Sequence, residues 1–199
     1  ISSYSKRKEQ APIPQGIQIA DVAGGSLHGV IGILAALHHR QKTGQGQLID
    51  ISMTDCAFAL NAMSGAGTLA GNDIPSSESH LLNGGTFYDY YQTSDGRYLS
   101  VGSLEPKFFS GLCQLLDLKH LLPLANKSSA QQQIKDSFTQ SFKQKTYDEW
   151  KAIFIDIDLC VEPVLNLKEA SEHPHIVARN MIVDVPHPVT GMQKQLGCP

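Results

Sequence analysis

Two carboxylates stand where the chain changes direction, and residues of that type can act as bases or nucleophiles. Asp21 opens the run 21–53, DVAGGSLHGVIGILAALHHRQKTGQGQLIDISM, in which an acid and two glycines precede a stretch that is apolar or small on nearly every side. A carboxylate in the first turn of such a helix sits at its positive pole, a good place to keep an anion. The plainer reading of the same residue is an N-cap that satisfies backbone N–H groups. Glu105 precedes Pro106, and proline suits the first helical position, so Glu105 marks a strand-to-helix corner. It reads equally as a capping carboxylate. A third stretch, Leu82, Asn83, Gly84 and Gly85, offers paired glycines that let backbone lie against a ligand without Cβ atoms in the way. An ordinary linker turn accounts for it as well.

The elements that must position these residues follow from periodicity and punctuation. Val22, Leu27, Val30, Ile31, Ile33, Leu34 and Leu37 make the helix after Asp21 apolar all round, the signature of a core helix. Gly25, Gly29 and Gly32 thin one face for close packing, and His38, His39, Arg40 and Lys42 suit the negative pole at the far end. Gly44 and Gly46 turn the chain into residues 47–53, which read as a short buried strand, and Thr54 caps a second helix. Residues 71–80 are a polar, proline-containing linker and the main internal boundary. Beyond it, residues 87–93 and 97–103 alternate as strands around the hairpin signal Ser94, Asp95, Gly96. Phe108, Phe109, Leu112, Leu115 and Leu116 give the helix after Pro106 a buried face, and Ile134, Phe138 and Phe142 recur every four residues. Thr146 with Glu149 is a capping box opening a helix with Trp150 and Phe154. Residues 160–165 read as a strand, 166–172 as a short helix, 181–185 as a strand, and 187–191 as a turn. The partition expected is 1–76, part of a large domain; 82–180, a small α+β domain; and 181–199, the start of a return to the large domain.

Composition narrows the class. The chain has 199 residues, 41% hydrophobic content and a formal net charge of −3, which suits a soluble globular protein. No basic stretch is dense enough for nucleic acid, and no apolar run approaches the roughly 18 residues of a membrane span. Four cysteines (56, 113, 160 and 198) are scattered without CxxC pairs, reading as reduced thiols in the cytoplasm, Cys56 and Cys160 as core filler. His173 and His175 flank a proline without a third ligand, so no metal is expected, and they read as loop residues.

The string from Asp21 onward, GG, then IG-I-LAAL-x-x-R-x-x-TG-x-GQ-x-ID-x-SM-x-D, resembles the central signature of the class III CoA-transferase (CaiB/BaiF) superfamily, which includes the alpha-methylacyl-CoA racemases. The likeness extends over most of residues 17–199, with 158–165 and 173–179 as scaffold. It implies an α/β fold, a nucleotide-fold-like large domain followed by a small α+β domain. It further implies an acyl-CoA thioester as substrate, no separate cofactor, and a homodimer. By this resemblance Asp21 is the catalytic carboxylate, with an upstream histidine as its proton-transfer partner, and the amides of Gly24 and Gly25 serve an oxyanion. Asn83, Gly84 and Gly85 correspond to a glycine-rich loop over the active site. The racemases carry aspartate before the glycine pair and a proline after it; here Asn83 replaces the aspartate, the proline is lacking and the loop is one residue shorter. Glu105 corresponds to a glutamate of the racemase branch. The expectation is a racemase-like enzyme using Asp21 and Glu105. The alternatives are a CoA-transferase acting through an aspartyl-CoA thioester on Asp21, and a non-catalytic fragment. The 199 residues read as an internal or C-terminal portion of a family member, silent by itself.

Overall fold

The computed structural model describes residues 4, 7–13, 16–71 and 73–198. By its internal contacts the chain divides into two compact units, Ile1–Asp89 with Lys127–Gln132, and Tyr90–Asn126 with Gln133–Pro199.

The first unit is built on one long helix, α1 (Ile19–Thr43). Its opening, Ile19–Leu27, is π-wound, and His28–Thr43 is regular α-helix. Two side chains match the wider pitch: Ser26 Oγ donates to the Asp21 carbonyl at 3.0 Å, and His28 Nδ1 lies 2.7 Å from the Ala23 carbonyl, each reaching five residues back. Gly44 ends the helix in the left-handed region (φ 73°), its N–H donating to the Arg40 carbonyl. The glycine face does admit close neighbours. A Cβ on Gly25 would lie 3.2 Å from Met53 Cγ, and one on Gly32 would lie 3.1 Å from Ile49 Cγ2, whereas Gly29 meets nothing within 4 Å. Two short helices follow, α2 (Met53–Ala59) and α3 (Ala62–Gly71).

Four expectations change here. Residues 47–53 form no strand, because no other extended segment lies beside them to complete a ladder among the described residues. Helix α2 is capped by Ser52 and not Thr54; Ser52 Oγ accepts the Asp55 N–H at 3.2 Å. The all-apolar helix is not buried: Val30, Ile31 and Leu34 are more than half exposed, and Leu48 is 96% exposed. Periodicity reports that a helix is apolar on every side; it does not supply the elements that cover it. Lastly, α1 runs 25 residues and is long and apolar enough, by length and composition, to cross a membrane, a test that core helices of soluble proteins also pass.

The second unit closes on itself. Strands β1 (Asp89–Gln92, whose first residue belongs to the first unit), β2 (Tyr98–Val101) and β3 (Val161–Pro163) form a sheet in that order. β2 and β3 run antiparallel, with Leu99 opposite Pro163 and Val101 opposite Val161. Leu99 and Val101 point inward while Tyr98 faces out, the two-residue alternation of a one-sided sheet. Three helices supply the cover: α4 (Pro106–Leu115), α5 (Gln131–Phe142) and α6 (Tyr147–Phe154). Ile134, Phe138 and Phe142 are fully buried, so the stripe is core as its spacing predicts. Phe142 meets Trp150 edge-on at 5.2 Å and Tyr91 at 5.4 Å, and Trp150 Nε1 donates to the Phe142 carbonyl at 2.9 Å. Thr146 and Glu149 form the expected capping box. The buried thiol is Cys113, pushed up to about 11 by burial, whereas Cys56 and Cys160 are only half-buried.

Beyond β3, α7 (Leu167–Glu172) is capped by Asn166. Residues 174–178 form a short helix, α8 (Pro174–Ala178), with His173 as its cap, where a loop was expected; proline at the first position permits that turn. A two-stranded hairpin ends the unit, β4 (Ile182–His187) and β5 (Gly191–Leu196), turning at Gly191 (φ 78°).

Candidate functional site

Asp21 lies in the first turn of α1, inside the π-wound segment, and its side chain is exposed. The cap position belongs to Gln18, which makes no side-chain cap bond. The aspartate is therefore not spent as an N-cap. Its charge adds to the favourable end of the helix dipole while its carboxylate stays accessible. Gly24, three residues on, is buried against α2, where a Cβ would lie 3.4 Å from the Met53 carbonyl. The glycines seat the start of α1 on α2, and π-winding of this kind recurs at functional sites.

Asn83, Gly84 and Gly85 sit together on one loop of the same unit. Asn83 braces it: Oδ1 accepts the His80 N–H at 2.7 Å, and Nδ2 donates to the Ser76 carbonyl at 2.7 Å and the Tyr4 carbonyl at 3.2 Å. Gly84 adopts φ 90°, and a Cβ on Gly85 would fall 2.6 Å from the His80 carbonyl oxygen, so both glycines are required by the backbone path. A cleft of about 280 Å³ borders this loop, lined on its apolar side by Leu60, Met63 and Leu82. Tyr4 and Asn61 close one polar edge, Tyr4 Oη donating to Asn61 Oδ1 at 2.5 Å.

Glu105 belongs to the second unit. It caps α4 with extended backbone (φ −69°, ψ 141°), Pro106 follows, and its exposed side chain makes no cap bond. The corner is fastened from behind: the Gly102 N–H donates to the Cys160 carbonyl at 2.7 Å, and Ser103 Oγ to the Leu159 carbonyl at 2.6 Å. Cys160 stands in the left-handed region (φ 53°), its thiol pushed up by burial first and then by the charges of Asp158 and Glu105. Glu105 thus presents a carboxylate on a rigid corner, near a thiol that stays protonated at neutral pH.

The ion pairs around these loops carry no sequence signal of their own. Arg7 bonds Glu78 and Asp89 across more than seventy residues, and Arg97 holds Glu169 while its guanidinium lies 3.6 Å from the centre of the Tyr147 ring. Among the described residues no group of three or more His, Cys, Asp or Glu side chains converges as a metal site would require.

Comparison with known proteins gives these residues a context. The model of the family described as CoA-transferase family III matches residues 1–199. The chain is 35% identical over 185 residues to the alpha-methylacyl-CoA racemase of Homo sapiens, covering 92% of this chain and 48% of that protein. It is 23% identical over 186 residues to the human succinyl-CoA:glutarate CoA-transferase, covering 90% and 42%. A crystal structure of a CaiB/BaiF family protein from Brucella suis superposes with a TM-score of 0.72 at 22% identity, over 100% of this chain and 56% of that one, a likeness of fold. The chain spans about half the length of the curated relatives it matches.

Proposed function

This chain belongs to CoA-transferase family III, and from that premise we propose that the whole protein carrying it processes acyl-CoA thioesters in the manner of a racemase. The observation that carries this reading is Asp21: an exposed carboxylate in the first turn of a helix, free of any capping duty, inside the stretch that matches the family. A base removes the proton α to the thioester carbonyl, the electron pair moves onto the thioester oxygen as an enolate, and an acid returns a proton to the opposite face. Asp21 takes one of these roles; the amides of Gly24 and Gly25, expected to serve an oxyanion, lie past the first turn of the π-wound segment and are spent on the helix's own carbonyls. Glu105 is the second carboxylate of this reading, and the loop of Asn83, Gly84 and Gly85 borders the cleft that would take the acyl-CoA. Leu60, Met63 and Leu82 suit the acyl chain. Higher identity to a racemase (35%) than to a glutarate transferase (23%) supports this branch. Helix α1 is read as a core helix of the whole protein and not a membrane span, since its first turn carries Asp21 and its glycine face already holds Ile49 and Met53.

A second reading has one observation in its favour. Asn83 is engaged as a brace where the racemases carry an aspartate, which leaves room for CoA transfer. There the Asp21 carboxylate attacks the thioester carbonyl and expels CoA thiolate. The thiolate then attacks the aspartyl carbonyl of the mixed anhydride, releasing the first acid, and the aspartyl thioester passes CoA to a second acid.

One experiment separates the two. The whole protein and its Asp21→Asn and Glu105→Gln variants are incubated with a 2-methylacyl-CoA in D₂O, and separately with an acyl-CoA and a free acid acceptor. Racemase chemistry incorporates deuterium at the α carbon and depends on both carboxylates. Transferase chemistry moves CoA between acids and tolerates Glu105→Gln. Undiminished α-exchange in folded Asp21→Asn removes Asp21 from the mechanism.

A further inference from the structure

The loop that carries Asn83, Gly84 and Gly85 is held from far upstream. Its two ends, Glu78 and Asp89, both bond to Arg7, 71 and 82 residues away. The guanidinium takes Asp89 with both prongs, Nη1 to Oδ2 at 2.8 Å and Nη2 to Oδ1 at 2.5 Å, and Nη1 also reaches Glu78 Oε1 at 3.1 Å. The neighbouring Lys8 N–H donates to Glu78 Oε2 at 3.2 Å. Asp89 is the buried partner, its side chain only 8% exposed, so its charge depends on this fork far more than a surface pair would. Burial works against the cation, but the bonds to Asp89 and Glu78 outweigh it and raise the Arg7 pKa, so the clamp stays charged.

Three further details tie Tyr4 and Arg7 to the loop and its bend. Glu78 is a non-glycine residue at φ 52°, so the bend at this end is one that contacts must hold. Asn83, at the tip, donates to the Tyr4 carbonyl. A Cβ added to Gly84 would lie 2.6 Å from Arg7 Nη1, so the guanidinium fills the space a side chain at position 84 would need. Residues 79–88 contain no helix or strand; the Asn83 and Gly85 N–H groups donate to the His80 carbonyl, and side-chain bonds, those of Arg7 among them, supply the rest of the loop's ties.

We propose that Arg7 is a positioning residue: by joining Glu78 to Asp89 under Gly84, it sets the backbone path of the Asn83–Gly84–Gly85 loop that receives the thioester. The inference rests on the reading of that loop as substrate-binding. Arg7 itself touches no reacting atom. A lysine keeps the charge but cannot reproduce the planar two-pronged bond, so it substitutes only in part.

The test uses the whole protein with Arg7→Ala, Arg7→Lys and Gly84→Ala. Two measurements are made, amide hydrogen exchange of residues 79–88 and steady-state kinetics with a 2-methylacyl-CoA and with an acyl-CoA plus acid acceptor. Arg7→Ala is expected to speed exchange in 79–88 by about tenfold or more while the amides of α5 and β2 keep their protection. It raises KM by about tenfold and leaves kcat within about threefold. Arg7→Lys falls between the two. Gly84→Ala gives the same KM increase with Arg7 present, and the double variant Arg7→Ala/Gly84→Ala is no worse than either single one. Unchanged exchange in 79–88, acceleration throughout the chain, or a fall in kcat at constant KM each overturns the proposal. Should Arg7→Ala not fold, Arg7→Lys carries both measurements with smaller shifts. If the wild-type protein neither exchanges α-protons nor transfers CoA, the functional reading falls. The hydrogen-exchange comparison then still decides whether Arg7 orders the loop.

Discussion

The α5–α6 core and helix α1 both carry rows of large apolar side chains, and they use that character in opposite ways. In the first, Phe138, Phe142, Tyr91, Trp150 and Phe154 close on one another, and Phe138 and Phe142 are fully out of solvent. In the second, Ile31, Leu34 and Val30 stand in solvent while Gly25 and Gly32 lie close against Met53, Ile49 and Ile51. Apolar content alone does not stabilise; apolar area removed from water does. The helix with these exposed apolar faces also presents the candidate carboxylate Asp21, and the second unit presents Glu105 at the start of α4.

The sharpest way to break that contrast is to change Asp21. Asp21→Asn in the whole protein is expected to lower turnover by about three powers of ten or more, each power being about 1.4 kcal/mol of barrier. Because the side chain is exposed and caps nothing, the denaturant midpoint should not move; parallel kinetic and urea-unfolding measurements check both halves. The core should behave in reverse. Phe142→Ala is expected to destabilise by about 3–5 kcal/mol, whereas Leu34→Ala in the 199-residue chain should stay within about 0.5 kcal/mol, both read by urea unfolding. A comparable loss from Leu34→Ala would show that α1 is covered in solution.

A smaller effect tests how α2, the seat of the α1 glycines, is started. Ser52→Ala removes the acceptor for the Asp55 N–H and should cost about 1 kcal/mol of stability. The smallest effect is a slope with pH. Hydrogen bonds from Thr93 lower the Asp95 carboxylate below its ordinary 3.8, bonds from Thr146 lower Glu149 below 4.5, and the Arg97 fork lowers Glu169 below 4.5. A carboxyl group depressed in the folded state contributes stability that is complete above its unfolded value and is lost as pH falls through the folded one. The melting temperature attributable to these groups should therefore hold from neutrality to about pH 5 and decline below about pH 4. Asp95→Asn with Glu169→Gln should flatten the decline in thermal scans, and an unchanged slope would remove these bonds from the acid response.

Much of this organisation is legible in the sequence where the cause is local. Pro106 after Glu105, the Thr146–Glu149 box, the Asp95–Gly96 hairpin and the four-residue spacing of Ile134, Phe138 and Phe142 each describe neighbours along the chain, and each forms as read. The same logic misplaces residues 47–53, since a strand exists only if a second strand arrives beside it. It also picks Cys56 and Cys160 over Cys113, because burial of a thiol depends on which helix faces it.

By itself, the sequence determined the family, the long glycine-faced helix with Asp21 at its start, the α/β character and the corner that carries Glu105. Periodicity, capping and dipole effects act within a few residues and are written where they act. Only the tertiary structure decided that Asp21 caps nothing, that Asn83 is a brace, and that Arg7 reaches Glu78 and Asp89. Those outcomes depend on pairing between residues scores of positions apart. The partner of a charge or an amide at that distance is chosen by packing, which no local pattern records.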